Sequence, residues 1–226
     1  MESYTYLLLN LLTVSYPLAQ SFEHRIRFVG KWRYLFPATL VTAALFIVWD
    51  ILFTQYGIWS FNPTYLTGLY LSVLPVEEWM FFITVPFACL FIYEVIRYFV
   101  SNFAQRVPHR TISVALLLVL SFALVWNFGK VYTTVSFAFA ILLICLQLFV
   151  IKGAYMGRFY LTYLVSLVPF LLVNGVLTAL PVVSYNPAHI IGFRIYTIPI
   201  EDAVYNLSLL LMVVSIYEYL MQNAKQ

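Results

Sequence analysis

Charge is what this sequence lacks most. Only 9% of its 226 residues are Asp, Glu, Lys or Arg, against roughly 25% in an ordinary globular chain. Hydrophobic residues make up 63%, and the mean hydropathy is +0.92. A water-soluble fold of this length has no means of hiding so much apolar surface. Cysteine is reduced to Cys89 and Cys145, both inside apolar runs, so neither a disulfide framework nor a thiolate metal site is implied. There is no Gly-x-Gly-x-x-Gly run, no Walker loop and no histidine cluster, which leaves nucleotides, redox cofactors and metals without a visible site. Lys31, Lys130, Lys152 and Lys225 all fall in loops or the tail, which argues against a retinal Schiff base in the last span. The net charge of +3 is small and dispersed, and suggests no nucleic-acid partner.

Apolar runs are what the sequence has in their place. A membrane helix needs about 20 apolar residues, and the pattern predicts about seven spans: Tyr4–Gln20, Tyr34–Phe53, Pro75–Tyr98, Thr111–Phe128, Val131–Ile151, Phe159–Leu180 and Pro199–Met221. The expected fold class is therefore all-α and polytopic. The first run carries only Glu2 and no basic lead, so it reads as a retained span. Basic residues gather after span 1 (His24, Arg25, Arg27, Lys31, Arg33), span 3 (Arg97, Arg106, His109, Arg110) and span 5 (Lys152, Arg158). Alternate loops hold only Lys130 and Arg194. By the positive-inside rule the basic loops are cytoplasmic, with the N-terminus outside and the C-terminus, carrying Lys225, inside. The expected membrane is a bacterial inner or plasma membrane.

The sequence repeats itself. Shifted by 124, Asp50–Glu94 falls on Asn174–Glu218 without a gap. Asn62-Pro63 meets Asn186-Pro187, Gly68 meets Gly192, Pro75 meets Pro199, and Ile92-Tyr93-Glu94 meets Ile216-Tyr217-Glu218. Shared apolar bias does not align Asn, Pro, Gly and Glu together. The predicted organisation is a first repeat over 1–105, a connector span over 106–129 and a second repeat over 130–226. An offset of four spans is even, so the halves are parallel, related by an axis along the membrane normal.

Acids are scarce, and four of the nine occupy matched motifs: Pro75-Val76-Glu77-Glu78 and Pro199-Ile200-Glu201-Asp202. Pro with acids just after it is an ordinary helix start, where the acids only complement the helix dipole. Duplication in register, near membrane depth where ionisable groups are costly, points instead to function. Two adjacent carboxyls repel, so one tends to hold its proton beside an ionised partner, the pairing that protonation and deprotonation require. Phe81 lies four residues after Glu77 and Tyr205 four after Glu201, so each shares a helix face with its acid. Trp79 and Phe82 follow closely, and such rings can shelter a passing cation. Asp50 lies where it can reach the first acid pair, and its counterpart is Asn174. Asn62 and Asn186 either fix turns or hold carboxylates. Glu94 and Glu218 read as structural.

Trp49-Asp50, Phe61-Asn62-Pro63 and Pro75-Val76-Glu77-Glu78-Trp79, echoed by Asn186-Pro187 and Pro199-Ile200-Glu201-Asp202, resemble the small membrane lycopene cyclases of bacteria, archaea and fungi. That family is marked by a repeated Pro-x-Glu-Glu/Asp motif in a duplicated three-helix domain, here with both halves in one chain. The resemblance covers nearly the whole chain. It implies an acid-catalysed, redox-neutral conversion of lycopene ends to β-rings with no cofactor. Glu77 and Glu201 would be acid or base, and Glu78 and Asp202 would tune or relay the proton. Trp79, Phe81, Phe82 and Tyr205 would flank the cation, with Asn62, Asn186 and Asp50 in support. The substrate would be a lipophilic carotenoid reaching the enzyme through the bilayer. Ring type, C40 or C50 substrate, one or both ends, and oligomeric state stay open. Two other classes share these features: a proton-coupled transporter or channel, and a non-catalytic carotenoid- or lipid-binding subunit.

Overall fold

The computed structural model describes residues 2–224; Lys225, part of the orientation argument, lies outside them. Among the described residues there are eight α-helices: α1 (Thr5–Gln20), α2 (Trp32–Gln55), α3 (Val76–Phe99), α4 (Ser101–Arg106), α5 (His109–Trp126), α6 (Val131–Cys145), α7 (Met156–Ala179) and α8 (Ile200–Asn223). Helices satisfy every backbone polar group within the segment, the condition a bilayer imposes. Six of the helical segments are long and apolar enough to cross a membrane. The first expected span falls short of that set: α1 has 16 residues, about 24 Å at 1.5 Å per residue, against a hydrocarbon core of about 30 Å. It packs along α3. The fifth span runs as expected to Ile151, but its last turn, Leu146–Ile151, is a π-helix, within which the buried Gln147 donates to Ser215 at 2.7 Å.

Two short strands cross from one half to the other. β1 (Trp59–Phe61) pairs antiparallel with β4 (Val183–Tyr185), and Ser60 faces Ser184, its own equivalent under the 124-residue shift. At the far end of α3 and α8, Tyr93 donates to Glu218 at 2.5 Å and Tyr217 donates to Glu94 at 2.9 Å. A residue paired with its own counterpart, or two pairs that exchange partners, must lie on the axis relating the repeats. That axis therefore runs along the helices, and the halves are parallel. The middle helices are exchanged across it, α2 packing on α8 as well as α3, and α7 on α3 as well as α8.

Just before α3 and α8 the chain folds into matching hairpins, β2 (Tyr70–Leu71) with β3 (Leu74–Pro75), and β5 (Arg194–Ile195) with β6 (Ile198–Pro199). The turns place Ser72 and Tyr196 at φ +61° and +58° respectively, a left-handed conformation that side chains disfavour. Pro75 and Pro199, expected as first helical residues, end β3 and β6 instead, and each helix begins one residue later. Polarity is turned inward. Seven of the nine acids are buried, whereas α5 turns Leu118, Val119, Phe122 and Trp126 outward.

Candidate functional site

Neighbouring residues on an α-helix point about 100° apart, so the two acids of each motif part company. Glu77 turns toward the loop before its own helix, where Oε1 accepts the Thr67 N–H at 2.7 Å. Glu201 does the same in the second half, accepting the Ile191 N–H at 2.6 Å and the Thr133 hydroxyl at 2.6 Å. In each case the bonded N–H immediately precedes a glycine of positive φ, Gly68 at +82° and Gly192 at +90°. These two carboxyls pin the bend that feeds each hairpin. They are not among the residues that line the chamber between the two halves, so the helix turns the two acids of each motif toward different surroundings.

Glu78 and Asp202 point the other way, into a single small chamber of about 60 Å³ between the two halves. Asp50 lines it too, from the C-terminal end of α2, with its repeat counterpart Asn174 beside Leu177 on the α7 side. The phenol of Tyr6 donates to Glu78 Oε2 at 2.6 Å. Asp202 accepts on both oxygens, from Tyr132 at 2.8 Å and from Tyr185 at 2.7 Å. Burial and the neighbouring Asp202 push the Tyr185 phenol, which sits in the loop outside the spans, well above its ordinary value, so it stays a donor. Asp50 stands against Glu78 as a neighbouring carboxyl, and its Oδ2 has no hydrogen-bond partner. Trp59, Phe61, Phe81, Phe170 and Tyr205 complete an aromatic wall.

Of the expected substrate-side residues, Asp50, Phe81 and Tyr205 line this chamber. The others lie elsewhere. Trp79 donates its indole N–H to the Leu71 carbonyl at 3.1 Å, tying α3 to its hairpin. Phe82 is fully buried in aromatic packing against Phe46 and Phe81. Asn62 and Asn186 are turn residues, each accepting the N–H two residues on, at 3.1 and 3.0 Å. Asn186 also donates to the Gly57 carbonyl at 3.2 Å.

Tyr6, Tyr132 and Tyr185 were missed in the sequence reading. The gapless shift of 124 does not reach α1. Tyr6 and Tyr132 make equivalent bonds at an offset of 126, because the loop after α1 is two residues longer than the stretch after its counterpart. Tyr185 was visible as the partner of Phe61.

Phe81, Phe170, Asn174 and Asn206 line both the chamber and a neighbouring groove of about 520 Å³ between α1, α3 and α7. Its walls are almost wholly apolar, and its rim carries exposed residues such as Leu12, Tyr16 and Leu172. At the opposite end of the molecule Glu94 and Glu218 are neutralised by Lys31, by Arg97 at 3.4 and 3.5 Å, and by Arg158 at 3.2 Å from Glu218.

A family model described as lycopene cyclase matches residues 3–96 and again 129–220. The two matches start 126 residues apart and end 124 apart, the same change of register that the tyrosines show. Comparison with curated proteins and with solved structures gives no match.

Proposed function

The chain belongs to the lycopene cyclase family, and on that premise we propose that the shared chamber is the place where one end of linear lycopene is protonated, closed and deprotonated to a β-ring. The observation that carries this reading is the convergence of Asp50, Glu78 and Asp202, from both repeats, on one aromatic chamber that adjoins an apolar groove. Membership makes the chain an enzyme acting on lycopene; the assignment of roles below rests on the chamber.

Two carboxyls in contact do not both ionise, so Asp50 and Glu78 keep one proton between them. That proton forms a C–H bond at the terminal C=C and leaves a tertiary carbocation. The π electrons of the double bond within reach close the six-membered ring and move the cation into it. Loss of a ring proton restores a C=C, so atoms and electrons balance without an oxidant or reductant. Asp202 is the base: two phenolic donors stabilise its anion and aim it into the chamber. Trp59, Phe61, Phe81 and Tyr205 offer π faces to the cation without acting as nucleophiles. The proton taken by Asp202 returns to Glu78 between turnovers. Glu77 and Glu201 hold the loops that shape the chamber rather than the proton. By the positive-inside rule the chamber lies toward the outer leaflet, and the Lys31, Arg97 and Arg158 cluster lies on the cytoplasmic side.

A transporter needs polar groups along its path. The middle of α3 from Val85 to Ile92, and of α8 from Leu209 to Val214, is apolar, so these two central helices offer no polar groups between the chamber and the far end. The test is pigment chromatography in a lycopene-accumulating host. Wild type should convert lycopene to monocyclic and bicyclic products, and Glu78→Gln and Asp202→Asn should leave it linear. Unchanged lycopene with folded wild-type protein would sink the reading.

A further inference from the structure

The duplication should have made two apolar grooves, one beside each repeat's first helix. Only one is open. On the α1 side the walls include Thr13, Ala88, Val173 and Asn206. Their equivalents on the α6 side are Phe139, Met212, Trp49 and Phe82, by the offset of 126 for the first helix and 124 for the others. Those larger side chains fill the space. The Phe139 ring lies 5.6 Å from Trp49 and 5.9 Å from Phe46, and Tyr205 lies 5.3 and 5.0 Å from the same two. Met212 and Phe82 belong to the same packed cluster. Phe170 and Phe81, which correspond to Phe46 and Tyr205, instead line the open groove with nothing between them and α1.

We infer that the groove between α1, α3 and α7 is the single seat for the polyene tail behind the reacting end, and that Thr13, Ala88 and Val173 are the residues that keep it open. This rests on the cyclase reading. The occupant is a linear apolar polyene for two reasons. The groove adjoins the chamber, the two sharing Phe81, Phe170, Asn174 and Asn206 as walls. It also runs from Phe81 to Ile92 on α3, about 16 Å at 1.5 Å per residue, so a molecule seated in it lies along the bilayer normal with its head in the chamber and its far end in lipid. One seat and one chamber process one end per binding event. A second ring requires release and reinsertion end for end.

The test transplants the plug. Thr13→Phe and Val173→Trp, alone and together, add bulk to the groove wall; Thr13 lies outside the packed clusters, whereas Val173 also borders the Tyr6–Leu177–Val182 cluster, so the Thr13→Phe single variant is the control for folding. Two quantities are read: cyclised product per folded protein, and lycopene co-purifying with detergent-solubilised protein. The expected result is at least a tenfold fall in both for the double variant, with the thermal midpoint unchanged. Leu12→Trp, at the exposed rim, should cause a smaller fall without touching the interior. Wild-type turnover and pigment retention in the plugged variants would overturn the inference. If wild type makes no cyclised product the cyclase reading fails, and pigment retention alone then decides the groove: loss on plugging supports it, retention overturns it.

Discussion

The two ends of the α3–α8 pair inherit the same duplication and use it differently. At the basic end the tyrosine–carboxyl bonds remain interchangeable, Tyr93 binding Glu218 and Tyr217 binding Glu94, while the cations that close the cluster, Lys31, Arg97 and Arg158, each come from one repeat only. At the chamber end Tyr6 and Tyr132 keep equivalent bonds, but four other pairs have diverged, Glu78 against Asp202, Asp50 against Asn174, Phe61 against Tyr185, Phe81 against Tyr205. An end that only holds two halves together is served by symmetry, because each bond is made twice. An end that must give a proton on one side and take it on the other needs its two carboxyls to differ in surroundings, and the phenol count supplies that difference: one for Glu78, two for Asp202.

The largest expected effects break the chamber end. Glu78→Gln and Asp202→Asn should each lower cyclisation by about 10²–10⁴-fold, the range for general acid–base catalysis, with normal protein levels. Glu218→Gln, buried to a similar degree, should reduce the amount of folded protein and leave the rate per folded molecule unchanged. A rate loss in Glu218→Gln equal to that in Glu78→Gln would erase the distinction between the ends.

Next in size, Tyr185→Phe makes this position match Phe61 and removes one of the two donors on Asp202. A hydrogen bond to a charged group is worth about 1.5–3 kcal/mol, so the rate should fall by roughly tenfold or more, with the remaining Tyr132 bond keeping the site partly active. Tyr93→Phe, by contrast, removes a bond of the same kind at the basic end. It should cost up to a similar free energy in stability, read as a lower thermal midpoint, with no change in product per folded molecule.

Much of this was legible in the sequence. Asn-Pro, Gly and Pro-x-Glu in register exposed the repeat, and an even offset predicted parallel halves. Glu78, Asp202 and Asp50, which the structure brings to one chamber, stood out because charge at membrane depth is conspicuous, and Phe81 and Tyr205 because they follow an acid at helical spacing. Other features were hidden for physical reasons. Adjacent residues on a helix face different ways, and only the position of the partner helices says which of Glu77 and Glu78 looks inward. Tyr6 and Tyr132 sit in apolar helices where one more tyrosine carries no signal, and the two-residue difference in loop length put them out of register. The hairpins turn at Ser72 and Tyr196, which carry none of the glycine or asparagine that marks a left-handed turn. The shut second groove is a matter of side-chain volume at four positions, which hydropathy does not register.

The smallest expected effect is the one that separates the acids within a motif. Glu77→Gln keeps a carbonyl oxygen where Oε1 accepts the Thr67 N–H, and its amide can occupy the place of Oε2, which has no partner now. If Glu77 only pins the bend before Gly68, the amide does that nearly as well, and cyclisation should stay within about threefold of wild type, since a neutral acceptor gives up only part of one hydrogen bond. Glu77→Ala removes the acceptor and leaves the Thr67 N–H without its partner, so it should lower stability and, through the loosened hairpin, activity as well. The ratio of the two variants is the informative quantity. Near-wild-type turnover in Glu77→Gln beside a damaged Glu77→Ala marks a loop anchor. Equal and severe loss in both would move the proton from Glu78 to Glu77 and restore the adjacent pair as the catalytic unit.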